Sequence, residues 1–302
     1  MRIVRLVWGC ADVGPSALML GEFEMGDQIS EVEELERIFA DTRAEPIKIS
    51  YAAIKYVTKN FAEVIGRGGF GVVYLGGLRN GMVAVKKLFA TMDLSELFAT
   101  MELSHKQFLD EVISLAKLNH KNVVRFLAYC VETTLEVREA EGKLADIEVQ
   151  QRFLCFEYAP NGNLHHYLQE KTHAHEWSVC YEIIKGICHG LCYIHDKRIF
   201  HLDLKPANVL LGANMEPKIS DFGLSRVFNE NVATVVTKNI AGRLGYMAPE
   251  LIDQGKVSLK TDIFSLGIIM IRLLVRHNDT IIENKGTYSC SHDCDMFNFA
   301  VA

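Results

Sequence analysis

Two patterns of apolar residues predict an α+β chain divided into two parts. In the first part, short β-branched and aromatic runs alternate with turn residues. Phe61 to Ile65, Val72-Val73-Tyr74-Leu75 and Met82-Val83-Ala84-Val85 are separated by a glycine-rich turn and by Asn80-Gly81. An Asn-Gly pair between β-rich runs is a strong hairpin signal. In the second part, Trp177, Cys180, Ile183, Ile184, Ile187, Leu191 and Ile194 keep helical spacing for about five turns, and Asp262 to Leu274 is apolar on nearly all sides, as a helix buried in a core would be. A small, mostly antiparallel sheet with one helix is expected over residues 51–159, and a mainly helical part over 160–276. An arm (1–50) precedes them and a tail (277–302) follows.

The bulk numbers narrow the function classes. The chain has 302 residues, enough for one large domain or two medium ones, and is 49% hydrophobic and 23% charged, as ordinary soluble proteins are. A net charge of -6 gives no reason to expect nucleic-acid or general membrane binding. Cys10, Cys130, Cys155, Cys180, Cys188, Cys192, Cys290 and Cys294 are scattered, most of them inside apolar runs. That usage predicts a reducing, cytoplasmic compartment and no disulfide framework. Met1 to Cys10 is short for a secretory leader. No stretch reaches the ~18 apolar residues of a membrane span; the longest, Ile263 to Val275, contains Arg272.

Within the arm, Glu31 to Ala40 reads as a short acidic amphipathic helix, and the whole of 1–50 as a solvated, flexible segment. After the hairpin, Leu88 to Glu96 is nearly repeated by Leu97 to His105, a local duplication that lengthens one connection. Phe108, Val112, Leu115 and Leu118 form one helical stripe, with Glu111 beside it. Val123 to Tyr129 reads as a strand, Glu132 to Gln151 as a polar extended loop, and Phe153 to Phe156 as a buried strand. Lys218-Ile219-Ser220 is a short strand running into Asp221-Phe222-Gly223. Residues 224 to 247, with Ser225, Thr234 and Thr237, read as a long mobile segment closed by Ala248-Pro249-Glu250.

The chemistry concentrates in His201-Leu202-Asp203-Leu204-Lys205-Pro206-Ala207-Asn208. Asp203 can accept a proton, Lys205 can neutralise phosphate oxygens, and Asn208 can offer a carbonyl oxygen to a hard cation. The plainer alternative is a polar turn before the strand Val209-Leu210-Leu211. Gly66, Gly68 and Gly71 match G-x-G-x-x-G, a weak signal that also marks dinucleotide-binding folds. Those folds need the glycines to open a helix, whereas a strand follows here. A dinucleotide oxidoreductase is therefore disfavoured, and the glycines cap a hairpin whose backbone amides can reach over phosphates. Strand alternation places Lys87 on the face opposite Lys86, in solvent. Cys188, His189 and Cys192 read as helix packing, and Cys290, His292 and Cys294 are too crowded for a zinc site.

In this order the motifs resemble the protein kinase signature set, with a texture (HLDLKPANVLL, GYMAPE) most similar to plant receptor-like serine/threonine kinases. Gly66-Arg67-Gly68-Gly69-Phe70-Gly71 looks like the nucleotide-covering loop, and Val83-Ala84-Val85-Lys86 like the third-strand lysine motif. The resemblance implies a two-lobed fold, ATP and Mg²⁺ as cofactors, and serine- or threonine-bearing proteins as substrates. It places Lys86 on the α- and β-phosphates, paired with Glu111, and makes Asn208 and Asp221 the Mg²⁺ ligands. Asp203 would take the substrate proton and Lys205 would stabilise the γ-phosphoryl charge. Val73, Ala84 and Leu210 would sandwich adenine, with Phe156 as gatekeeper and backbone bonds from Glu157 and Ala159. Asp262 would brace the catalytic loop. An upstream receptor or partner kinase is an implied partner, with membrane association through it.

Three departures qualify the resemblance. Leu202 replaces the arginine usual before the catalytic aspartate, which implies loss of switching through a phosphorylated activation segment. Arg243 stands where a small hydroxyl residue is usual and is expected to pair with Asp203 and blunt it. The resemblance stops near Val275, so the helical lobe is expected to lack its last helices and expose surface normally buried. Arg243 and the short C-terminus support the alternative of a truncated pseudokinase that binds ATP as a non-catalytic interaction module.

Overall fold

The computed structural model describes residues 15–69, 71–89, 108–109, 111–140, 143–169, 177–228, 234–237 and 241–275. Phe70, the duplicated segment beyond Phe89, residues 1–14 and the tail cysteines lie outside the described residues.

A long helix, α1 (Pro15–Ala40), leads into β1 (Ile47–Lys48) and α2 (Tyr51–Val57). Then come β2 (Val64–Gly68), β3 (Gly71–Leu78), β4 (Gly81–Leu88), a helix α3 at residues 111–116, β5 (Phe126–Ala140) and β6 (Lys143–Glu157). The six strands form one sheet in the order β1-β5-β6-β4-β3-β2, antiparallel except where β1 runs along β5. Register fixes its faces. Val73 lies opposite Lys86, which lies opposite Leu154, while Leu75, Ala84 and Phe156 line up in the next row. Paired residues and residues two apart share a face, so Val73, Ala84, Lys86 and Phe156 all point to one side. At Gly71 a Cβ would stand 2.1 Å from Lys87 O, so only glycine lets these two strands close here.

The opposite face carries Val83, Val85, Phe153 and Cys155, all buried, against Val32, Leu35 and Ile38 of α1 and Ile54 and Val57 of α2. The expected solvated arm is thus corrected for its described part: the apolar stripe of Glu31–Ala40 has a sheet to cover and becomes core. Ser50 caps α2 by accepting from Ala53 N at 3.1 Å and donates its hydroxyl to Glu31 Oε2 at 2.6 Å, joining the two helices. Lys87 is on the outer face as expected, but its ammonium sits over the rings of Phe61 and Phe153, 5.8 and 5.7 Å from their centroids. The expected polar loop from Glu132 to Gln151 is also corrected. It is a two-stranded ribbon, with Glu132 paired to Gln151 and Ala140 to Lys143. The alternation of Val131, Thr133, Leu135 and Val137 with polar residues is the strand signal that charge concealed.

The second lobe contains α4 (Leu164–Gln169), α5 (Trp177–Asp196), α6 (Pro249–Gln254) and α7 (Leu259–Val275). Ile183, Ile187, Leu191 and Ile194 of α5 share one core with Leu266, Ile269 and Leu273 of α7. All-round burial of α7 is corrected: Ile263, Ile271 and Leu274 are exposed, since among the described residues the core packs on the side of Leu266, Ile269 and Leu273. Cys188 is half-buried and Cys192 exposed, so only part of that pair packs. Among the described residues no helix is long and apolar enough to cross a membrane.

Between α5 and α6, β7 (Ile199–Phe200) precedes a 3-10 turn (Pro206–Asn208), β8 (Val209–Leu211) and β9 (Pro217–Ile219). The described parts of the segment expected to be mobile are tied down: β10 (Arg226–Val227) pairs with β7, and β11 (Val235–Val236) with β12 (Lys256–Val257). Gly255 (φ 62°) allows the second pairing, since a Cβ there would meet Thr237 O at 2.2 Å. Phe200, Leu202, Phe228, Met247, Ala248, Leu251 and Val257 form a buried apolar clasp, with the Phe200 and Phe228 rings stacked at 4.2 Å. Leu202 therefore holds the segment by apolar contact. A Leu202→Arg substitution places a guanidinium in this clasp and is expected to cost about 3 kcal/mol in a urea melt. A stability equal to the parent's would contradict the clasp.

Candidate active site

The residues singled out by sequence converge where the sheet's inner face meets the loop before β8. Asp262, fully buried at the start of α7, is the anchor. Its Oδ2 accepts from His201 N at 2.8 Å and its Oδ1 from Leu202 N at 2.8 Å, while His195 Nε2 lies 2.8 Å from Oδ2. These bonds hold Leu202 at φ 64°, a left-handed conformation that costs energy for a residue other than glycine. Next in the chain, Asp203 N donates to His201 Nδ1 at 3.3 Å. The other ring nitrogen, His201 Nε2, donates to Ser220 O at 2.9 Å. Ser220 returns its own N–H and hydroxyl to Asn208 O, at 2.9 and 3.0 Å. The catalytic-loop candidates and Asp221 are thus cross-tied, and Asp221 too is left-handed, at φ 65°.

The side chains then meet. Lys205 Nζ donates to Asp203 Oδ2 at 2.6 Å. Asn208 Nδ2 donates to Asp203 O at 2.8 Å and to Asp203 Oδ2 at 3.0 Å. The expected pairing of Arg243 with Asp203 is corrected: Lys205 and Asn208 already hold this carboxylate, and Arg243 stands exposed. Across the cleft, Lys86 Nζ donates to Asp221 Oδ1 at 2.6 Å. The expected Lys86–Glu111 pairing is corrected in the same way. Among the described residues Lys86 makes its close ion pair with Asp221, and Glu111 also attracts the ammonium.

The charges respond to one another. Burial disfavours the Lys86 ammonium, but Asp221, Glu111 and Asp203 more than offset it, so its pKa lies above 10.5. Burial also works against ionised Asp221, yet Lys86, His201 and Lys205 hold its carboxyl below the usual 3.8. For Glu111 burial wins over the attraction of Lys86, and its pKa rises above 4.5. The sign for stability follows. Glu111 ionises more readily unfolded than folded, so its contribution is full below pH 4.5 and is lost as pH rises through the folded value. In metal-free, nucleotide-free protein, the Tm of Glu111→Gln minus that of the parent is therefore expected to grow between pH 4 and pH 8. A difference that shrinks over that range would contradict this.

Of the remaining candidates, Val73, Ala84 and Phe156 share the inner face of the sheet with Lys86. Val73, Ala84 and Leu210 are half-buried, Ala159 is buried, and the Phe156 ring tilts against Phe126 at 5.5 Å. Glu157 N donates to Arg125 O at 3.0 Å, so the group it has to offer a ligand is its carbonyl. Phe222 is buried, 5.0 Å from the His201 ring. Gly66 pairs with Val73 beside a bulge, and Arg67, Gly68 and Gly69 are exposed at the β2–β3 tip. A Cβ on Gly68 or Gly69 would meet nothing within 4 Å, which leaves bare backbone facing open space. His195 and Ser220 were missed by sequence reasoning, because a histidine ending an amphipathic helix and a serine ending a strand carry no signal of the bonds they make.

The donor set fits a hard cation. Asn208 spends its amide N–H groups on Asp203, which leaves its carbonyl oxygen, together with the Asp221 carboxylate, for an ion. No group of three or more His, Cys, Asp or Glu gathers among the described residues. Mg²⁺ asks for no more than one or two protein ligands when waters and phosphates supply the rest.

A cleft between a small sheet and a helical lobe, with a cross-strand lysine facing two aspartates, is the arrangement of a phosphotransfer fold. The protein kinase domain model matches residues 60–298, and the chain belongs to the protein kinase family. The match runs past Val275, into the stretch read above as a non-kinase tail, which lies outside the described residues. Among relatives, a cysteine-rich receptor-like protein kinase 14 of Arabidopsis thaliana is 34% identical over 262 residues, covering 82% of this chain and 36% of the relative. Cysteine-rich receptor-like protein kinase 6 of Oryza sativa subsp. japonica is 36% identical over 255 residues, 81% of this chain and 32% of its own length. A G-type lectin S-receptor-like serine/threonine-protein kinase of Arabidopsis thaliana is 37% identical over 244 residues, 78% of this chain and 26% of its own. The chain thus spans about a third or less of these relatives.

Proposed function

We propose that the chain is an ATP-dependent serine/threonine protein kinase, with residues 51–159 and 160–276 as its two lobes. The observation that carries this reading is the convergence of Lys86, Asp203, Lys205, Asn208 and Asp221 on one cleft, with Asp203 held within hydrogen-bond reach of Lys205 and Asn208. Asn208 and Asp221 would hold Mg²⁺, which would supply neutralisation of phosphate charge. Lys86 would meet the α- and β-phosphate oxygens. Asp203 orients a serine or threonine hydroxyl and accepts its proton as the oxygen attacks phosphorus. Lys205 stabilises the charge on the transferred group. Gly66, Gly68, Gly69 and Gly71 bring backbone amides over the phosphates, together with Arg67 and Phe70. Val73, Ala84, Leu210, Glu157 and Ala159 receive the adenine. The receptor-like names of the relatives support a signalling role beside a receptor or partner kinase; a cytoplasmic place of work is part of the same proposal.

The test is a thermal melt with ATP and Mg²⁺ together, separately and absent. The reading expects a rise of several degrees that needs both, and no rise with Lys86→Met. An equal rise from a nicotinamide dinucleotide would sink it. Binding without phosphate transfer would favour the non-catalytic interaction module. Lys205 holds the Asp203 carboxylate at 2.6 Å, the arrangement that the catalytic reading needs.

A further inference from the structure

The outer-face helix reaches the nucleotide cleft through one side chain. Arg125 lies just before β5, where the register slips between Phe126 and Ala128, so the β-ladder does little to hold its peptide. Its guanidinium is instead fixed on the end of α1. Nη1 donates to Phe39 O at 3.1 Å, and Nη2 donates to Ile38 O and Asp41 O. The carbonyls of Ile38 and Phe39 lie in the last turn of α1, at the negative end of its dipole, and that of Asp41, just beyond the helix, also accepts from Ala44 N at 3.1 Å; a forked cation suits this cluster. A second clamp lies beside it: Asn119 Nδ2 donates to Thr42 O at 2.8 Å, while Asn119 N donates to Tyr193 Oη of α5 at 2.9 Å.

The backbone of the same arginine forms a reciprocal pair with Glu157. Glu157 N donates to Arg125 O at 3.0 Å, and Arg125 N donates to Glu157 Oε1 at 2.8 Å. That carboxylate oxygen also accepts from Lys218 Nζ at 3.0 Å. Lys218 belongs to β9, the strand that runs into Asp221, and lies opposite Leu210. One carboxylate thus ties the sheet to the helical lobe, and its height is set by the Arg125 peptide.

We propose that Arg125 is a positioning residue for nucleotide binding, carrying the docking of α1 to the Glu157 peptide. This rests on the reading above, that the Glu157 carbonyl and Ala159 meet the adenine. Arg125 is not among the residues read above as meeting the nucleotide. It fixes where the peptide stands, and an error of an ångström there is felt in binding.

The experiment uses the full chain and reads the Kd for Mg·ATP, the phosphotransfer rate at saturating ATP, and the ligand-free Tm. Arg125→Ala is expected to raise the Kd about five- to tenfold. Its saturating rate should stay within about twofold of the parent's. Arg125→Lys keeps the charge but cannot span the three carbonyls, so its Kd should fall between the two. If the alanine variant does not fold, the lysine variant is read alone by the same split. A lowered Tm with an unchanged Kd would show that Arg125 supports the fold only, and would overturn the proposal. A parent chain that binds no Mg·ATP would overturn the adenine reading and the proposal with it, an outcome distinct from a binding parent with an indifferent variant.

Discussion

The Asp203→Asn variant is expected to bind Mg·ATP as the parent does and to transfer phosphate about a thousandfold more slowly. The Asp203 side chain is 4% exposed and its Oδ2 receives Lys205 Nζ at 2.6 Å and Asn208 Nδ2 at 3.0 Å. An asparagine fits the same space and can keep its carbonyl oxygen toward those donors. Its amide nitrogen then occupies the position of the remaining oxygen, where it has no lone pair to take a proton. Geometry survives and basicity does not. The stability lost is the attraction of Asp203 for Lys205, whose side chain is partly exposed, and at longer range for Lys86, together about 1 kcal/mol. A single-turnover measurement against a nucleotide titration checks the split. A variant that transfers phosphate at the parent rate would remove Asp203 from the chemistry.

Asp262→Ala is expected to have the largest effect on stability, about 4 kcal/mol. Asp262 has no solvent exposure and receives the N–H groups of His201 and Leu202, each at 2.8 Å, as well as the His195 contact. Removing the carboxylate orphans two buried backbone donors at once and releases Leu202 from φ 64°. Asp203 follows directly, so phosphate transfer should fall as well, even at temperatures where the variant is folded. Asp262→Asn retains one acceptor and should lose about half as much stability. Urea melts of the three proteins check the order. A loss below about 1 kcal/mol for the alanine variant would mean that the loop is held by other contacts.

Much of this was legible in sequence because the signals are local. The hairpin at Asn80-Gly81 and the helical spacing from Trp177 to Ile194 depend on neighbours along the chain, and both elements formed where they were expected. Lys86, Asp203, Asn208 and Asp221 were legible because the order of their motifs resembles the protein kinase signature set, which singles them out together. What escaped needed knowledge of a partner surface. The stripe of Val32, Leu35 and Ile38 showed an apolar face but not the sheet that covers it. Glu132 to Gln151 hid its alternation beneath charge. Whether Lys86 reaches Asp221 or Glu111 is decided over an ångström or two, and Arg243 could be judged only once Lys205 was seen on Asp203. Leu202 is the clearest case. As a letter it marks a missing charge, whereas in the fold it is part of an apolar clasp that holds the segment in place.

The most direct test of the central claim is transfer of label from γ-labelled ATP to a general protein substrate by the full chain with Mg²⁺, followed by phosphoamino-acid analysis. The account predicts phosphoserine and phosphothreonine, formed only with Mg²⁺ and absent with Asp203→Asn. Label on tyrosine alone, or label undiminished in the Asp203→Asn chain, would contradict it.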